Sequence, residues 1–238
     1  MGNARVRPIL AWGVHLYTAL GAVVGVWALL AIAQGAWRRA VLLMLVGLFV
    51  DSTDGMMARA LDVPRLIPRF DGRRLDDMVD FLNYVIVPAV FLVETGLLSH
   101  WAWAAVPVLA SAYGFSHVQA KTEDDFFLGF PSYWNIVAVY AWLLGLSAGL
   151  ITAIVVGLSV LVLVPFKYVY ATKLRVWRRT TYALAILCIL LVAFAVIDPE
   201  RARAQRLVEI SLLFPAWYLL LSFRLGGLHR PASGTVFD

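Results

Sequence analysis

The chain has 238 residues, of which 62% are hydrophobic and 15% are charged, and its formal net charge is +5. Soluble globular domains are about 45–50% apolar, so this composition argues against a soluble domain and for a polytopic membrane protein. The basic residues lie in short segments between apolar runs, where they act as topology signals and lipid contacts. The positive charge therefore does not indicate a nucleic-acid partner.

The apolar runs predict an all-α, polytopic membrane bundle of about eight helices, because one membrane-spanning helix needs roughly 20 mostly apolar residues. In chain order we expect these helices at 9–33, 38–61, 73–97, 101–120, 132–148, 150–173, 178–197 and 206–225. Together they form a single membrane domain over residues 1–238. The C-terminal tail, residues 226–238, is expected to be flexible.

The distribution of lysine and arginine predicts the topology. With eight spans and the N-terminus inside, about three quarters of the 20 basic residues fall in cytoplasmic segments, as the positive-inside rule requires. This orientation puts the segment between the second and third helices on the cytoplasmic side.

Four aspartates lie where the second predicted helix ends and the third begins. Asp51 and Asp54 are three residues apart, and Asp76 and Asp80 are four apart, so each pair shares one helix face. Converging carboxylates repel one another without a cation, and oxygen ligands suit hard divalent ions such as Mg²⁺, Mn²⁺ or Ca²⁺. Three neighbouring aspartates are expected to be solvated surface charges: Asp62, Asp71 and Asp77.

The segment DSTDGMMARALDVPRLIPRFDGRRLDDMVD resembles the signature of the CDP-alcohol phosphotransferase family, D-x2-D-G-x2-A-R followed by G-x3-D-x3-D. All the fixed positions are present, as Asp51, Asp54, Gly55, Ala58, Arg59, Gly72, Asp76 and Asp80. The spacer at residues 60–71 is longer than the family's usual one. This spacer and the string GFPSYWN at 129–135 are similar to the bacterial phosphatidylcholine synthase branch of the family.

The resemblance implies an enzyme with a six-helix catalytic core and two further helices, which transfers the phosphatidyl group of CDP-diacylglycerol to an alcohol and releases CMP. It implies two Mn²⁺ or Mg²⁺ ions on Asp51, Asp54, Asp76 and Asp80. Asp80 and Asp76 would be catalytic, and Asp80 would be a ligand, the base, or both. The implied contacts to CDP are Asp51, Asp54, Gly55, Ala58, Arg59 and Gly72. The family also implies a homodimer surrounded by membrane lipids, in the bacterial inner membrane and with its active site facing the cytoplasm.

The resemblance of the GFPSYWN string to that branch favours choline as the acceptor, and aromatic faces with nearby acidic groups are suited to recognise its quaternary ammonium. The candidate choline contacts are Asn83, Tyr84, Glu123, Asp124, Tyr133 and Trp134. An anionic acceptor, such as glycerol phosphate or inositol phosphate, would instead use basic residues, and serine and inositol also stay open. The available basic residues are Arg65, Arg69, Arg73 and Arg74.

A cation transporter is the alternative from another class, with the aspartates as an ion site inside the membrane. A transporter predicts charges on several helices and broken helix pairs, whereas the acids of this chain cluster at one membrane face. An integral structural protein without catalysis is the third reading. It leaves the shared helix face of the aspartates unexplained.

Overall fold

The computed structural model describes residues 2–122 and 124–228, and these are mostly helical. The helices are α1 (Gly2–Ala33), α2 (Trp37–Leu61), α3 (Val63–Leu66), α4 (Gly72–Asp80), α5 (Val87–Glu94), α6 (Ala105–Ser116), α7 (Trp134–Leu143), α8 (Ala148–Leu163), α9 (Arg178–Ile197), α10 (Pro199–Ala204), α11 (Leu207–Ser211) and α12 (Leu213–Leu225). A π-helix spans Phe81–Ile86, and 3₁₀ turns span Trp101–Ala104 and Ala171–Lys173. The strands are β1 (Phe126–Leu128), β2 (Phe166–Val169) and β3 (Gly227–Leu228).

Within the described residues, four helical stretches are long and apolar enough to cross a membrane: Val6–Ala33, Trp37–Leu61, Arg178–Ile197 and Leu207–Leu225. The helices α7 and α8 are also apolar but shorter. Large apolar side chains such as Leu190 and Phe223 point outward from these stretches, as expected where lipid replaces water. The prediction of a helical membrane protein is confirmed, while the count of eight spans stays a prediction.

The all-α prediction is wrong in one respect, because part of the sixth predicted helix is a strand. That helix was expected over 150–173, but α8 ends at Leu163 and β2 begins at Phe166. Pro165 explains the change: it has no backbone N–H to continue the helix, and it pushes Val164 into the extended conformation, where its ψ is 125°. The fourth and fifth predicted helices are also shorter, ending at Ser116 and Leu143.

The three strands form one antiparallel sheet in the order β1-β2-β3. Phe126 pairs with Val169, and Phe166 pairs with Leu228. The last strand therefore ties down residues 227–228, which were expected to belong to a flexible tail; residues 229–238 lie outside the described residues. The sheet joins three segments that the topology prediction places on the cytoplasmic side.

The third predicted helix, at 73–97, is made of α4, the π-helix and α5 in direct succession. Pro88 gives a physical reason for the π-helix. It cannot donate to the carbonyl of Tyr84, and its ring would clash with that carbonyl in a regular helix. The wider turn over Phe81–Ile86 accommodates this defect directly after Asp80. Such π-turns occur frequently at functional sites.

Close packing of glycines fixes the π-helix against α1 and α2. A Cβ atom on Gly21 would lie 2.8 Å from Val79, one on Gly25 would lie 2.8 Å from Asn83, and one on Gly47 would lie 3.2 Å from Asn83. The buried Asn83 side chain donates from Nδ2 to the carbonyl oxygen of Gly21 at 3.0 Å. Small residues allow such close approach of membrane helices, and here the contact sets the position of α4.

Candidate active site

Three carboxylates from two helices meet at one place. Asp51 lies in α2, and Asp76 and Asp80 lie one turn apart in α4. Each offers one oxygen atom to a set in which all the atoms lie within 4.8 Å of one another. Oxygen donors this close together fit a hard divalent cation, because the positive charge offsets the repulsion among the carboxylates. The predicted convergence of these three aspartates is therefore observed as geometry, and it is compatible with a divalent metal.

Asp54 lies one helical turn beyond Asp51 and is buried, with 4% of its surface exposed. It is not a member of the close set of three. It lies beside Thr18 of α1 and interacts electrostatically with Asp51 and Asp76. Its role as a fourth ligand stays a prediction.

Tyr84 is bonded directly to the carboxylate cluster. Its hydroxyl donates to Oδ2 of Asp51 at 2.6 Å, and hydrogen bonds to a charged acceptor are stronger than neutral ones. Tyr84 lies in the π-helix one turn after Asp80, and only 4% of it is exposed. The sequence predicted Tyr84 as a choline contact; the structure shows it holding Asp51, a contact between residues far apart in the sequence.

Lys121 interacts electrostatically with all three aspartates of the cluster, and sequence reasoning treated it only as a topology signal. Its Nζ lies 3.4 Å from Oδ1 of Asp77. Burial lowers the pKa of the Lys121 ammonium, but the electrostatic influence of Tyr170 and of the Asp77, Asp76 and Asp80 carboxyl groups outweighs burial, so the pKa is raised. Lys121 therefore stays charged at the edge of the site, and Asp77, which is partly exposed as predicted, also forms an ion pair with it.

Some of the signature's other residues have packing roles. The guanidinium of Arg59 folds back over Gly55, where a Cβ atom would lie 3.1 Å from it. Gly72 packs on His15, since a Cβ atom there would lie 2.6 Å from the imidazole ring. Ala58 belongs to a small apolar cluster against α1. Gly72 and Ala58 thus hold the two carboxylate helices against α1, and their predicted contacts with CDP are not tested.

The string GFPSYWN forms a corner that brings Tyr133 to the cluster. A side chain on Gly129, where φ is +81°, would overlap the carbonyl oxygen of Val162, so the position requires glycine. Ser111 of α6 donates to Ser132 at 2.9 Å and accepts from the indole of Trp134 at 2.7 Å. The corner is thereby fixed, and the Tyr133 ring lies 5.9 Å from that of Tyr84.

The other predicted choline contacts are engaged elsewhere. Asn83 bonds to α1, Trp134 is fully buried against Ser111, and Asp124 pairs with Lys167 at 2.7 Å. Glu123 lies outside the described residues. Of the candidate set, the structure brings Tyr84 and Tyr133 together beside Asp51.

The fold and the site together define a helical membrane protein with an acidic centre, suited to a divalent metal, at one end of its bundle. No family model matches the chain. It is 38% identical to a phosphatidylcholine synthase of Legionella pneumophila, over 90% of this chain and 87% of that protein. It is 31% identical to the phosphatidylcholine synthase of Borreliella burgdorferi, over 91% and 94% of the two chains.

A phosphatidylcholine synthase of Legionella bozemanae is 39% identical, over 85% of this chain and 97% of that protein. The chain belongs to the phosphatidylcholine synthase family. The family resemblance that was predicted from the aspartate signature and the GFPSYWN string is confirmed.

Proposed function

We propose that this chain transfers the phosphatidyl group of CDP-diacylglycerol to choline, which gives phosphatidylcholine and CMP. The main observation behind this proposal is that the chain, over about nine tenths of its length, is similar to proteins named phosphatidylcholine synthase. The close set of three carboxylates from α2 and α4 supports it, because phosphoryl transfer depends on charge neutralisation and positioning.

Asp51, Asp76 and Asp80 would hold the divalent metal, with Asp54 completing the set. Oxygen-only donors favour Mn²⁺ or Mg²⁺, and we propose two ions. When bound, such ions supply charge neutralisation at the diphosphate of the donor lipid. Arg59, Gly55, Ala58 and Gly72 are the proposed neighbours of the CDP group, with Asp51 and Asp54.

Asp80 is the proposed base. The hydroxyl of choline is a weak nucleophile, and a carboxylate within hydrogen-bond reach can accept its proton while the new O–P bond forms. The bond between the β-phosphorus and CMP breaks in the same displacement, and CMP leaves. Asp51 already accepts the Tyr84 hydroxyl, which leaves Asp80 to receive the proton and Asp76 to hold the cluster together.

We propose that choline binds at Tyr84 and Tyr133. Their rings lie next to each other and to Asp51, and aromatic faces attract a quaternary ammonium. The remaining candidates, Asn83, Glu123, Asp124 and Trp134, belong to the same two chain segments. Among the described candidates, those engaged with α1, Ser111 and Lys167 would act by holding these segments in place.

We further propose one domain of eight spans in the bacterial inner membrane, with the site facing the cytoplasm. Support comes from the sheet, since β1, β2 and β3 pair and so must lie at one end of the bundle. That end faces the cytoplasm if the basic segments do. The proposed partners are membrane lipids and a second copy of the chain, the latter by analogy with the family.

An acceptor comparison tests the proposal. Purified protein with CDP-diacylglycerol and Mn²⁺ or Mg²⁺ is offered radiolabelled choline, serine, inositol or glycerol 3-phosphate. We expect label in lipid from choline, equimolar CMP, and loss of both products on chelation of the metal. Label entering lipid only from another acceptor would refute choline. Full turnover with chelator present would refute the metal requirement.

A further inference from the structure

A groove separate from the carboxylate cluster lies between α4 and α6. Its volume is about 540 Å³. The lining residues are Asp71, Arg73, Arg74, Asp77, Met78, Phe81, Ala112, Phe115 and Ser116. It therefore spans the first turns of α4 and the last turn of α6, at the end of the bundle that carries the aspartates.

The groove and the carboxylate cluster lie on different faces of the same helix. With 3.6 residues per turn, Asp76 and Asp80 share one face of α4. Arg74 and Phe81 are seven residues apart and share another face, roughly a third of a turn away, while Arg73 lies at the border of the aspartate face. A ligand in the groove would therefore lie directly beside the carboxylate cluster.

The rim of the groove carries two available cations. Arg73 and Arg74 are exposed, and neither side chain forms an ion pair within the part of the chain that the structure describes. The two acids of the rim are occupied: Asp77 pairs with Lys121, and Asp71 accepts the backbone N–H of Arg74. Two free guanidinium groups at the rim favour an anion, and phosphate suits their planar donors.

The floor of the groove is apolar. Phe81 and Phe115 meet edge to face with ring centroids 5.6 Å apart, the small Ala112 also lines the groove, and 60% of Met78 is exposed. A basic rim above an apolar floor, at the end of a membrane bundle, matches a molecule with an anionic head and a hydrocarbon tail.

We propose that this groove binds an anionic phospholipid of the surrounding membrane. Its phosphate would lie on Arg73 and Arg74, and the upper part of one acyl chain would lie along Met78 and Phe115. The inference rests on the groove and on the membrane setting, and does not depend on which alcohol the enzyme uses. Because α4 also carries Asp76 and Asp80, a bound lipid would brace the helix that forms half of the carboxylate cluster.

Lipid binding to purified protein, without choline or CDP-diacylglycerol, tests the proposal. Native mass spectrometry would compare retention of phosphatidylglycerol and phosphatidylcholine by the wild type and by the double variant Arg73→Gln/Arg74→Gln. We expect phosphatidylglycerol to be retained preferentially, and the double variant to bind it roughly 25-fold more weakly, since each basic residue near the surface contributes about a factor of five.

Two further variants make the result specific. Arg38→Gln/Arg39→Gln removes an exposed arginine pair at the other end of α2, roughly 20 Å from Asp51 along the helix, and should retain the lipid as the wild type does. Ala112→Trp fills the groove without changing charge and should weaken binding as the arginine variant does. Equal retention by the wild type, the arginine variant and Ala112→Trp would overturn the proposal.

Membrane lipids and the donor substrate both carry phosphate groups, so either could bind the two arginines. A displacement experiment distinguishes them. An excess of CDP-diacylglycerol should leave phosphatidylglycerol bound to the wild type. If CDP-diacylglycerol removes phosphatidylglycerol from the wild type, then the groove belongs to the substrate and the proposal is wrong. The binding measurement does not use turnover, so a failure of the proposed activity would leave it interpretable.

Discussion

Two regions border the carboxylate cluster and are built in different ways. On one side, α1 and α2 pack against the π-helix at Gly21, Gly25 and Gly47, around a buried and hydrogen-bonded Asn83. On the other side, the sheet consists of strands of two to four residues. Ion pairs with exposed carboxylates, such as Lys167 with Asp124, join its loops.

This difference in packing indicates that the two regions differ in rigidity and in their roles at the site. A close-packed interior resists displacement, because any shift creates overlap or a cavity. Exposed ion pairs contribute only about 0–1 kcal/mol each, and short strands with few buried contacts open at low cost. The helix side therefore fixes the carboxylate cluster, while we expect the sheet side to adjust as the proposed acceptor enters and CMP leaves.

The largest expected effect on activity is at Asp80, on the helix side of the cluster. Asp80→Asn keeps the shape of the side chain but removes the proposed base and one metal ligand, so CMP release should fall by roughly 10³-fold or more. The measurement is CMP formed from CDP-diacylglycerol and choline, together with the unfolding temperature in detergent.

Asp62→Asn is the matched control for Asp80→Asn. Asp62 pairs with Arg65 at the surface, and its φ of +54° is one that asparagine tolerates well. Its CMP release should stay within about twofold of the wild type. Near-normal release by folded Asp80→Asn would remove Asp80 from the catalytic assignment.

The next effect concerns the bond between Tyr84 and Asp51. Tyr84→Phe removes the hydroxyl that donates to Asp51 at 2.6 Å. A hydrogen bond to a charged group contributes about 1.5–3 kcal/mol, so we expect turnover of choline to fall by roughly 10- to 100-fold. Steady-state kinetics with the metal saturating gives the value.

Tyr140→Phe provides the comparison for Tyr84→Phe. Tyr140 is a buried tyrosine whose hydroxyl bonds to Ser211, so its loss should lower stability by about 1 kcal/mol and leave turnover unchanged. If both variants lose turnover equally, the effect of Tyr84→Phe comes from general packing and not from the orientation of Asp51.

The glycine contact gives the third prediction, which concerns stability. Gly25→Leu places side-chain atoms where a Cβ atom alone would lie 2.8 Å from Asn83 and 2.9 Å from Leu82. We expect the free energy of unfolding to fall by about 1–3 kcal/mol, measured by thermal unfolding in detergent. Gly13→Leu is the control in the same helix, because a Cβ atom there has no neighbour within 4 Å; similar losses in both variants would contradict the packing argument.

The sequence predicted those features whose information is local. The spacing of Asp76 with Asp80 depends only on helical periodicity, and hydropathy alone indicated the apolar helices. The family resemblance required only the signature segment and the GFPSYWN string. These predictions succeeded because neighbouring residues on one helix carry the pattern.

The features that sequence reasoning missed join distant parts of the chain. Nothing in the local pattern pairs β1 with β2, or aims the hydroxyl of Tyr84 at Asp51. Lys121 counted only as a positive charge in a loop until its contact with Asp77 was visible. Pro165 was the one local signal that could have ended the sixth helix earlier, since the residue before a proline disfavours helix.

The smallest effect is expected on the sheet side, at the ion pair between Lys167 and Asp124. Lys167→Gln removes a contact of 2.7 Å whose carboxylate is 55% exposed, so the free energy of unfolding should fall by less than about 1 kcal/mol. The helices α1 and α2 hold the carboxylate cluster, so the turnover number should stay within about twofold of the wild type while the KM for choline rises.

Arg65→Gln is the control. It breaks the surface pair with Asp62 away from the sheet and should leave both constants unchanged. If Lys167→Gln instead destabilises the protein as strongly as Gly25→Leu and lowers turnover, the sheet is as rigid as the helix core, and the proposed division between a fixed metal side and an adjustable acceptor side fails.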